Sequence, residues 1–310
     1  MKRYVAPIEE TPLQSVDEVD VSAKPTSVWS DAWRDMRKRV ITWICLVLVA
    51  LIIFVALFPQ LFTSGDPSGA ACELRNSLAA PSPGHPFGFD KQGCDVYTRV
   101  IYGTRASLTV GLLSTALATL IGATIGAIAG YFGGWLDAVI SRLGDIFFAI
   151  PSVLGAIVMM QIAPFGRGVV MLSLTLAVFG WPQVARIMRG AVLTAKQQDF
   201  VTAGIALGVS RGKNLIRHVI PNSLAPVIVI ATVSMGTYIV AEATLSFLGV
   251  GLPPEVISWG FDISTAQNVI RTAPNLLFYP AGALAITVLS FLLLGDVVRD
   301  ALDPKARARR

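Results

Sequence analysis

The segment from Gly208 to Lys213 is the part of this sequence that comes nearest to a phosphate-binding loop. A Walker loop has four residues between its first glycine and a Gly-Lys-Ser/Thr end, so that backbone amides surround the phosphates and the hydroxyl binds magnesium. Here only three residues separate Gly208 from Gly212, and Asn214 replaces the hydroxyl residue. We therefore expect this chain to bind neither ATP nor magnesium itself, and any ATP-driven work to depend on a partner.

The residues that could hold a metal ion or form a catalytic triad are few and scattered. His85 and His218 are the two histidines, too few and too far apart for a zinc cluster. No serine- or cysteine-based triad is legible. The sequence predicts no catalytic residue, no bound metal and no bound cofactor, and so no enzyme.

Three carboxylates lie in apolar surroundings: Asp145, Glu242 and Asp296. Ionisable residues inside membrane segments are often functional, but each of these lies near the end of an apolar run. Asp145 follows Arg142 by three residues, which favours a local helical pair, and Glu242 is expected to hydrogen-bond to a neighbouring helix. No series of carboxylates indicates a proton relay, which counts against a proton-coupled transporter.

The apolar residues occur in blocks long enough to cross a bilayer. Of the 310 residues 54% are hydrophobic and 15% are charged, whereas a soluble domain has about a quarter charged residues. Residues 40–58 contain no charge, and a span needs roughly 20 apolar residues. Further candidates lie at about 106–130, 137–163, 168–188, 222–247 and 277–297. The sequence predicts an all-α polytopic membrane protein with six transmembrane helices.

The distribution of lysine and arginine predicts that both termini are cytoplasmic. In that topology 19 of the 25 basic residues lie in cytoplasmic segments, as the positive-inside rule requires. The net charge of +5 is thereby explained without nucleic acid, because no basic patch is interleaved with aromatic residues. We expect a multi-pass protein of the cytoplasmic membrane that contacts lipid and no nucleic acid.

The N-terminal residues 1–39 are predicted to form a cytoplasmic tail, and residues 298–310 a second one. Trp29, Trp33 and Met36 recur at helical spacing opposite basic residues, which is typical of an interfacial helix over 26–39. A simple basic stop before the first span is an equally good interpretation.

The first transmembrane helix is predicted at 40–62 and is followed by an extracytoplasmic loop at 63–104. This loop contains Cys72 and Cys94 on the oxidising side of the membrane, which favours a disulfide over two free thiols. Cys45 lies within the first span and is expected to be a packing residue.

Gly122, Gly126 and Gly130 are spaced one helical turn apart in the second span. A ridge of small residues lets a neighbouring helix approach closely in the membrane. The pattern predicts a packed helix bundle and says nothing about a substrate.

Residues 199–221 are too polar to cross the membrane and too long for a tight turn. Asp199 can begin a helix, Gly208 would bend it, and a second helix can run from Arg211 to His218 until Pro221 stops it. We expect a two-helix knob with one apolar and one basic side. The apolar side would consist of Val201, Ile205, Leu215, Ile216 and Val219. Either a groove on a partner protein or the anionic lipid surface could receive such a knob.

The same segment resembles the EAA loop of permease subunits of ATP-binding-cassette (ABC) importers. That loop reads Glu-Ala-Ala, three residues, Gly, nine residues and Ile-x-Leu-Pro, and here the spacing from Gly208 to Pro221 is kept. Three positions depart from it, with Thr202 at the glutamate, Gly204 at the second alanine and His218 at the isoleucine. The resemblance selects an ATPase groove as the site that receives the knob.

Other stretches are similar to the C-type subunit of dipeptide and oligopeptide importers, from about residue 26 to the end. They are HPFGFDKQGCDVYTRVIYGTRASLTVG (85–111), DIFFAIPSVLGAI (145–157), GWPQVARIMRG (180–190), AEATLSFLGVGLPP (241–254), SWG (258–260) and GDVVRDALDP (295–304). Phe89 and Cys94 stand where that branch usually has threonine and arginine. The unusual Cys94 further favours its pairing with Cys72.

The resemblance implies a type I ABC importer transmembrane fold, with the ABC transmembrane domain at 105–297. It implies three kinds of partner: a B-type permease, one or two ATPase subunits that bind ATP and magnesium, and an extracytoplasmic peptide-binding protein or lipoprotein. The residues implied in ATPase coupling are Val201, Thr202, Ala203, Gly204, Gly208, Arg211, Arg217, His218 and Pro221. The expected function is uptake of di- or oligopeptides, with nickel, glutathione or sugar as alternative cargo and a self-contained secondary transporter as a more distant alternative.

Overall fold

The computed structural model describes residues 28–66, 69, 72–162 and 166–302. Within these residues every regular element is a helix, which confirms the all-α prediction. Most of the first tail and the last eight residues lie outside the described part of the chain.

Eleven α-helices follow one another in the described part of the chain. They are α1 Val28–Met36, α2 Val40–Leu57, α3 Val96–Phe132, α4 Gly134–Ala149, α5 Ser152–Ile162, α6 Val169–Ala195, α7 Asp199–Ala206, α8 Arg211–Asn214, α9 Ile220–Phe247, α10 Trp259–Ala266 and α11 Asn275–Leu302. We use "base" for the end of the bundle that carries α7 and "top" for the opposite end, which carries α10.

Five helical segments are long and apolar enough to cross a membrane: α2, α3, α6, α8 together with α9, and α11. The pair α4 and α5 bends by 89° at a short break and meets the same criterion as one broken span. Counted in this way, the pair completes the six predicted spans.

The helices extend well beyond the apolar runs that predicted them. Helix α3 already begins at Val96, within the residues 63–104 that are predicted to form the extracytoplasmic loop. Asp95 caps this helix by accepting a hydrogen bond from the Thr98 amide at 3.0 Å. The first span also ends earlier than predicted, at Leu57, and Pro59 begins a short 3₁₀ turn. Hydropathy marks the apolar part of a helix, whereas the caps mark its ends.

The glycine ridge of α3 packs directly on the backbone of α6. A β-carbon at Gly122 would lie 2.6 Å from the Trp181 carbonyl oxygen, and one at Gly126 would lie 2.9 Å from the Ala185 Cα. At Gly130 it would lie 2.9 Å from the Arg189 carbonyl oxygen. Contacts this short leave no room for a side chain, so the glycines fix the distance between α3 and α6.

Two polar contacts join α6 to its neighbours near the base. Arg189 donates to both carboxylate oxygens of Asp137 on α4, with Nη2 to Oδ2 at 2.6 Å. Lys196 donates from Nζ to the Gly130 carbonyl at 2.8 Å, in the last turn of α3. A lysine there satisfies a helix-end carbonyl and complements the helix dipole.

At the top, polar side chains fasten α10 onto α3 and α9. Glu242 is fully buried and accepts hydrogen bonds from Ser107 on α3 at 3.1 Å and from Ser246 at 2.9 Å. This agrees with the expected bond to a neighbouring helix. Arg99 of α3 donates from Nε to Asp262 of α10 at 2.8 Å. Burial raises the pKa of the Asp262 carboxyl to about 6, and the nearby Arg99 charge opposes that shift.

The remaining features are the three cysteines and the contacts of α1 and of the start of α2 at the base. Cys72 and Cys94 are joined in a disulfide in the loop before α3, and Cys45 is a buried free thiol in α2. At the base, α1 packs against α11 through Ala32. Arg39 Nη1 donates to Asp300 at 2.7 Å and closes the base contact between the start of α2 and α11.

We predict that Gly126→Ala destabilises the protein in detergent, because the new methyl group would overlap the α6 backbone at Ala185. Overpacking of this kind costs about 1–3 kcal/mol. Thermal unfolding of the purified chain should show a lower midpoint.

Gly190→Ala is the matched control, since a β-carbon there meets no atom within 4 Å. It should unfold at the wild-type temperature or slightly above, because alanine is the better helix former. Equal midpoints for the two variants would contradict the packing role of the ridge.

Candidate functional site

The candidate site is the knob at the base, which we define as residues 199–219. It consists of α7, a corner at Gly208, the single turn α8 and a π-helical turn from Leu215 to Val219. The π turn leads directly into α9. Any force on the knob therefore acts on a helix that reaches the top of the bundle.

The corner at Gly208 is a helix-ending Schellman motif. Gly208 has a φ of +81°, its amide donates to the Ile205 carbonyl at 3.0 Å, and the Val209 amide donates to the Gly204 carbonyl at 3.0 Å. This pair of bonds needs a left-handed residue, which glycine adopts without strain. No atom lies within 4 Å of a β-carbon built at Gly208, so the glycine is needed for its backbone conformation and not for space.

Asn214 ties the two halves of the knob together. Its side chain is fully buried, and Nδ2 donates to the Val201 carbonyl at 3.1 Å. A β-carbon at Gly204 would lie 3.4 Å from Asn214 Oδ1, which is an ordinary van der Waals contact, so the buried amide lies directly beside α7. The sequence analysis did not single out Asn214. The only signal was a polar residue between basic and apolar neighbours.

The predicted single apolar side of the knob is wrong. Val201, Leu215 and Val219 are buried in one cluster with Val192 of α6, whereas Ile205 and Ile216 are exposed. The two helices meet across a corner, so apolar residues that alternate in sequence point in opposite directions. Val201 is thus an anchor of the knob, and full burial of such a side chain contributes about 1.5–3 kcal/mol.

The prediction that Pro221 stops the second helix is also wrong. Pro221 lies in the first turn of α9, directly after the π turn. Proline has no amide hydrogen and its ring crowds the carbonyl four residues earlier, and a wider π turn relieves both problems. The Asn222 side chain donates from Nδ2 to the His218 carbonyl at 2.7 Å, and the Ser223 hydroxyl donates to the Val219 carbonyl at 2.8 Å.

The outer surface of the knob combines apolar and basic side chains. Leu207 is 84% exposed and Ile216 is 70% exposed, which is unusual for residues of this size in an anchored turn. The predicted coupling residues that share this exposed surface are Thr202, Ala203, Arg211, Arg217 and Pro221, while His218 is partly buried. A surface of this composition can enter an apolar groove with an acidic rim.

Two of the carboxylates singled out in the sequence, Asp145 and Glu242, form ordinary ion pairs or hydrogen bonds. Asp145 lies 3.3 Å from Arg142, as predicted, and also 3.3 Å from Arg186 of α6. Among the described residues no group of three or more histidines, cysteines or carboxylates lies together in a way that could hold a metal ion.

Comparison with known proteins places this geometry in a family. Residues 122–308 match the family described as binding-protein-dependent transport system inner membrane component. Residues 27–81 match the N-terminal transmembrane domain of oligopeptide transport permease C.

Individual relatives are similar over nearly their whole length. The chain is 37% identical to the oligopeptide transport system permease protein OppC of Bacillus subtilis, over 94% of each chain. It is 37% identical to the dipeptide transport system permease protein DppC of Alkalihalophilus pseudofirmus, over 91% of each. It is also 35% identical to the glutathione transport system permease protein GsiD of Escherichia coli, over 98% of each. The chain therefore belongs to the family of binding-protein-dependent transport system inner membrane components, as a multi-pass ABC permease of the cytoplasmic membrane.

Proposed function

We propose that this chain forms half of the translocation pathway of an ATP-driven importer of di- or oligopeptides. The relatives named for oligopeptide and dipeptide transport support this cargo. The partners in this proposal are a B-type permease, one or two ATPase subunits and an extracytoplasmic peptide-binding protein. The base faces the cytoplasm, in accord with the excess of basic residues in the base segments.

The observation that carries the proposal is the rigid attachment of the knob. Its inner side is held by Val201 and Asn214, and its outer side exposes Leu207 and Ile216 to a partner. A displacement of the knob cannot be absorbed within it, because the Schellman corner and the buried amide fix α7 relative to α8. The movement is instead passed through the π turn into α9.

The mechanism follows from this connection. ATP binding closes the ATPase subunits and draws the two knobs of the paired permeases together. In this chain α9 moves with its knob, and α9 packs against α10 at the top. The Ser107 hydroxyl of α3 donates to Glu242 of α9 and accepts a hydrogen bond from the Trp259 amide of α10 at 3.2 Å. Base and top therefore respond together, and hydrolysis with product release restores the first state.

Glutathione is a second candidate cargo, and one specific observation favours it. The glutathione permease relatives cover 98% of this chain at 35% identity, close to the values for the peptide permeases. Glutathione is itself a peptide-like thiol, so the same pathway chemistry would serve both.

Unlabelled short peptides should reduce the uptake of a labelled peptide by the complete reconstituted importer. Competition by glutathione, nickel or a sugar, with no effect of peptides, would overturn the peptide assignment.

We predict that Gly208→Val uncouples ATP hydrolysis from uptake. A β-branched residue in the left-handed region costs about 1–2 kcal/mol, which lowers the population of the native corner roughly tenfold. The measurement is cargo imported per ATP hydrolysed by the reconstituted complex, with membrane insertion of the variant checked by protease protection.

Gly208→Asn is the control for this variant, because asparagine tolerates the left-handed conformation. Both side chains enter open space, so the pair separates backbone conformation from bulk. Gly208→Asn should retain most of the coupling. Wild-type coupling in Gly208→Val would refute the role of the corner.

We also predict that Leu207→Ala and Ile216→Ala each weaken ATPase binding about tenfold, because a central apolar contact of an interface is commonly worth more than 1 kcal/mol. Binding of purified ATPase subunits to the permease pair in detergent measures the effect. Leu74→Ala is the control, since Leu74 is 77% exposed in the loop before α3, far from the base. Unchanged ATPase affinity in both knob variants would locate the contact elsewhere.

A further inference from the structure

A groove runs between α6 and α9 and contains two adjoining chambers. The upper chamber has a volume of about 270 Å³ and the lower one about 950 Å³. Ile230 and Val233 of α9 line both chambers and form the wall that the two share. The lower chamber ends at the base beside Asp296 and Arg299.

The upper chamber has a mainly apolar wall that carries a set of uncharged polar side chains. Hydrogen-bonding side chains from three helices meet there, and among the described residues no charged side chain lines it. They are Ser152 beside the break between α4 and α5, Gln183 of α6, and Ser234, Thr237 and Tyr238 of α9. These residues are distant in sequence, which is why no polar constellation was legible before the fold was known.

Gln183 lies in the interior of α6 with its side chain exposed, and it has no hydrogen-bond partner within the described residues. Hydrocarbon cannot satisfy an amide, and an unpaired amide in an apolar environment costs roughly 2–7 kcal/mol. The first span shows the contrasting pattern, since 40–57 has only apolar or small polar residues. Gln183 is therefore placed to face water and a polar molecule, and not lipid.

Tyr238 gives the chamber a second unpaired group. Its hydroxyl has no hydrogen-bond partner in the described residues and lies directly against Gly180, where a β-carbon would overlap it. Gly180 thus makes room for a phenol whose polar end reaches the chamber wall. Together with Gln183 and Thr237, it presents both donors and acceptors.

We propose that this groove is the wall along which cargo moves, and that the upper chamber binds the main-chain amide groups of a peptide in transit. The inference rests on the proposed function and adds the residues and the kind of contact. A peptide bond carries one donor and one acceptor, and a glutamine side chain can pair with both. The absence of charge lets the chamber accept any side-chain sequence. It also keeps binding weak enough for release, as conduction through a pore requires.

The first experiment tests accessibility in the complete importer with its partner subunits. Gln183→Cys is made in a Cys45→Ser background, because Cys72 and Cys94 are bonded and Cys45 is the remaining free thiol. A charged, water-soluble thiol reagent is added to inside-out vesicles, with and without alanine peptides of two to five residues. We expect labelling of Gln183→Cys and at least fivefold slower labelling when peptide is being transported.

Val47→Cys is the control for lipid exposure, since Val47 is 63% exposed in the uncharged first span. It should not react with the charged reagent. If Gln183→Cys also fails to react, the groove is covered by lipid or by the second permease and the inference is overturned. If the importer takes up the peptide but the peptide does not slow the labelling of Gln183→Cys, the chamber is not a binding site and the inference is overturned.

The second experiment measures uptake of the same alanine peptides. Gln183→Leu and Thr237→Val remove hydrogen-bonding groups at nearly constant volume, and each should raise the KM for uptake about fivefold, as the loss of one hydrogen bond does. Thr124→Val is the matched control. Thr237 donates to the Val233 carbonyl at 3.4 Å and Thr124 donates to the Leu120 carbonyl at 2.7 Å, but Thr124 lies on α3 outside the groove. Wild-type KM values in both groove variants overturn the inference. A wild-type importer that takes up no peptide overturns the proposed cargo instead, while Gln183→Cys labelling still reports whether the groove is open.

Discussion

The close contact between α3 and α6 is the constraint on which the rest of the structure depends. In a bilayer the hydrophobic effect does not drive helices together, so close backbone packing over small residues has to do so. Gly122, Gly126 and Gly130 provide that contact along the lower half of α3. One side of α6 is fixed in this way, its lower end receives the knob through Val192, and another side is left free to border the groove.

Several buried polar side chains in this bundle join helices or turns through hydrogen bonds. Glu242 is paired with two serines, and Asn214 donates to a backbone carbonyl. Side chains also satisfy backbone groups around Pro221. The π turn before this proline frees the carbonyls of His218 and Val219, which then accept hydrogen bonds from the side chains of Asn222 and Ser223. Gln183 and Tyr238 have no such partners in the described residues, and both line the upper chamber, where they are open to a passing molecule.

Much of the architecture was predictable from the sequence. The number of spans follows from apolar length, and the position of the knob follows from the Gly208–Pro221 spacing. The start of α3 was missed because residues 96–105 carry no apolar run, although Asp95 is a recognisable cap. The faces of the knob could not be assigned, because the corner rotates α7 relative to α8. The role of Asn214 depends on a contact with Val201, thirteen positions earlier in the chain, which no local pattern specifies.

The length of α3 has a mechanical consequence. At 37 residues it is about 55 Å long, whereas the hydrocarbon core of a bilayer is about 30 Å thick. Its closest approach to α6, at the glycines, lies toward the base, and about 39 Å of helix separates Gly122 from the first residue of α3. That upper part also packs on α6 around Val110, and it carries the bonds of Arg99 to Asp262 and of Ser107 to Glu242. A tilt of about 3° about the glycines therefore displaces the top of α3 by roughly 2 Å, together with the helices bonded to it.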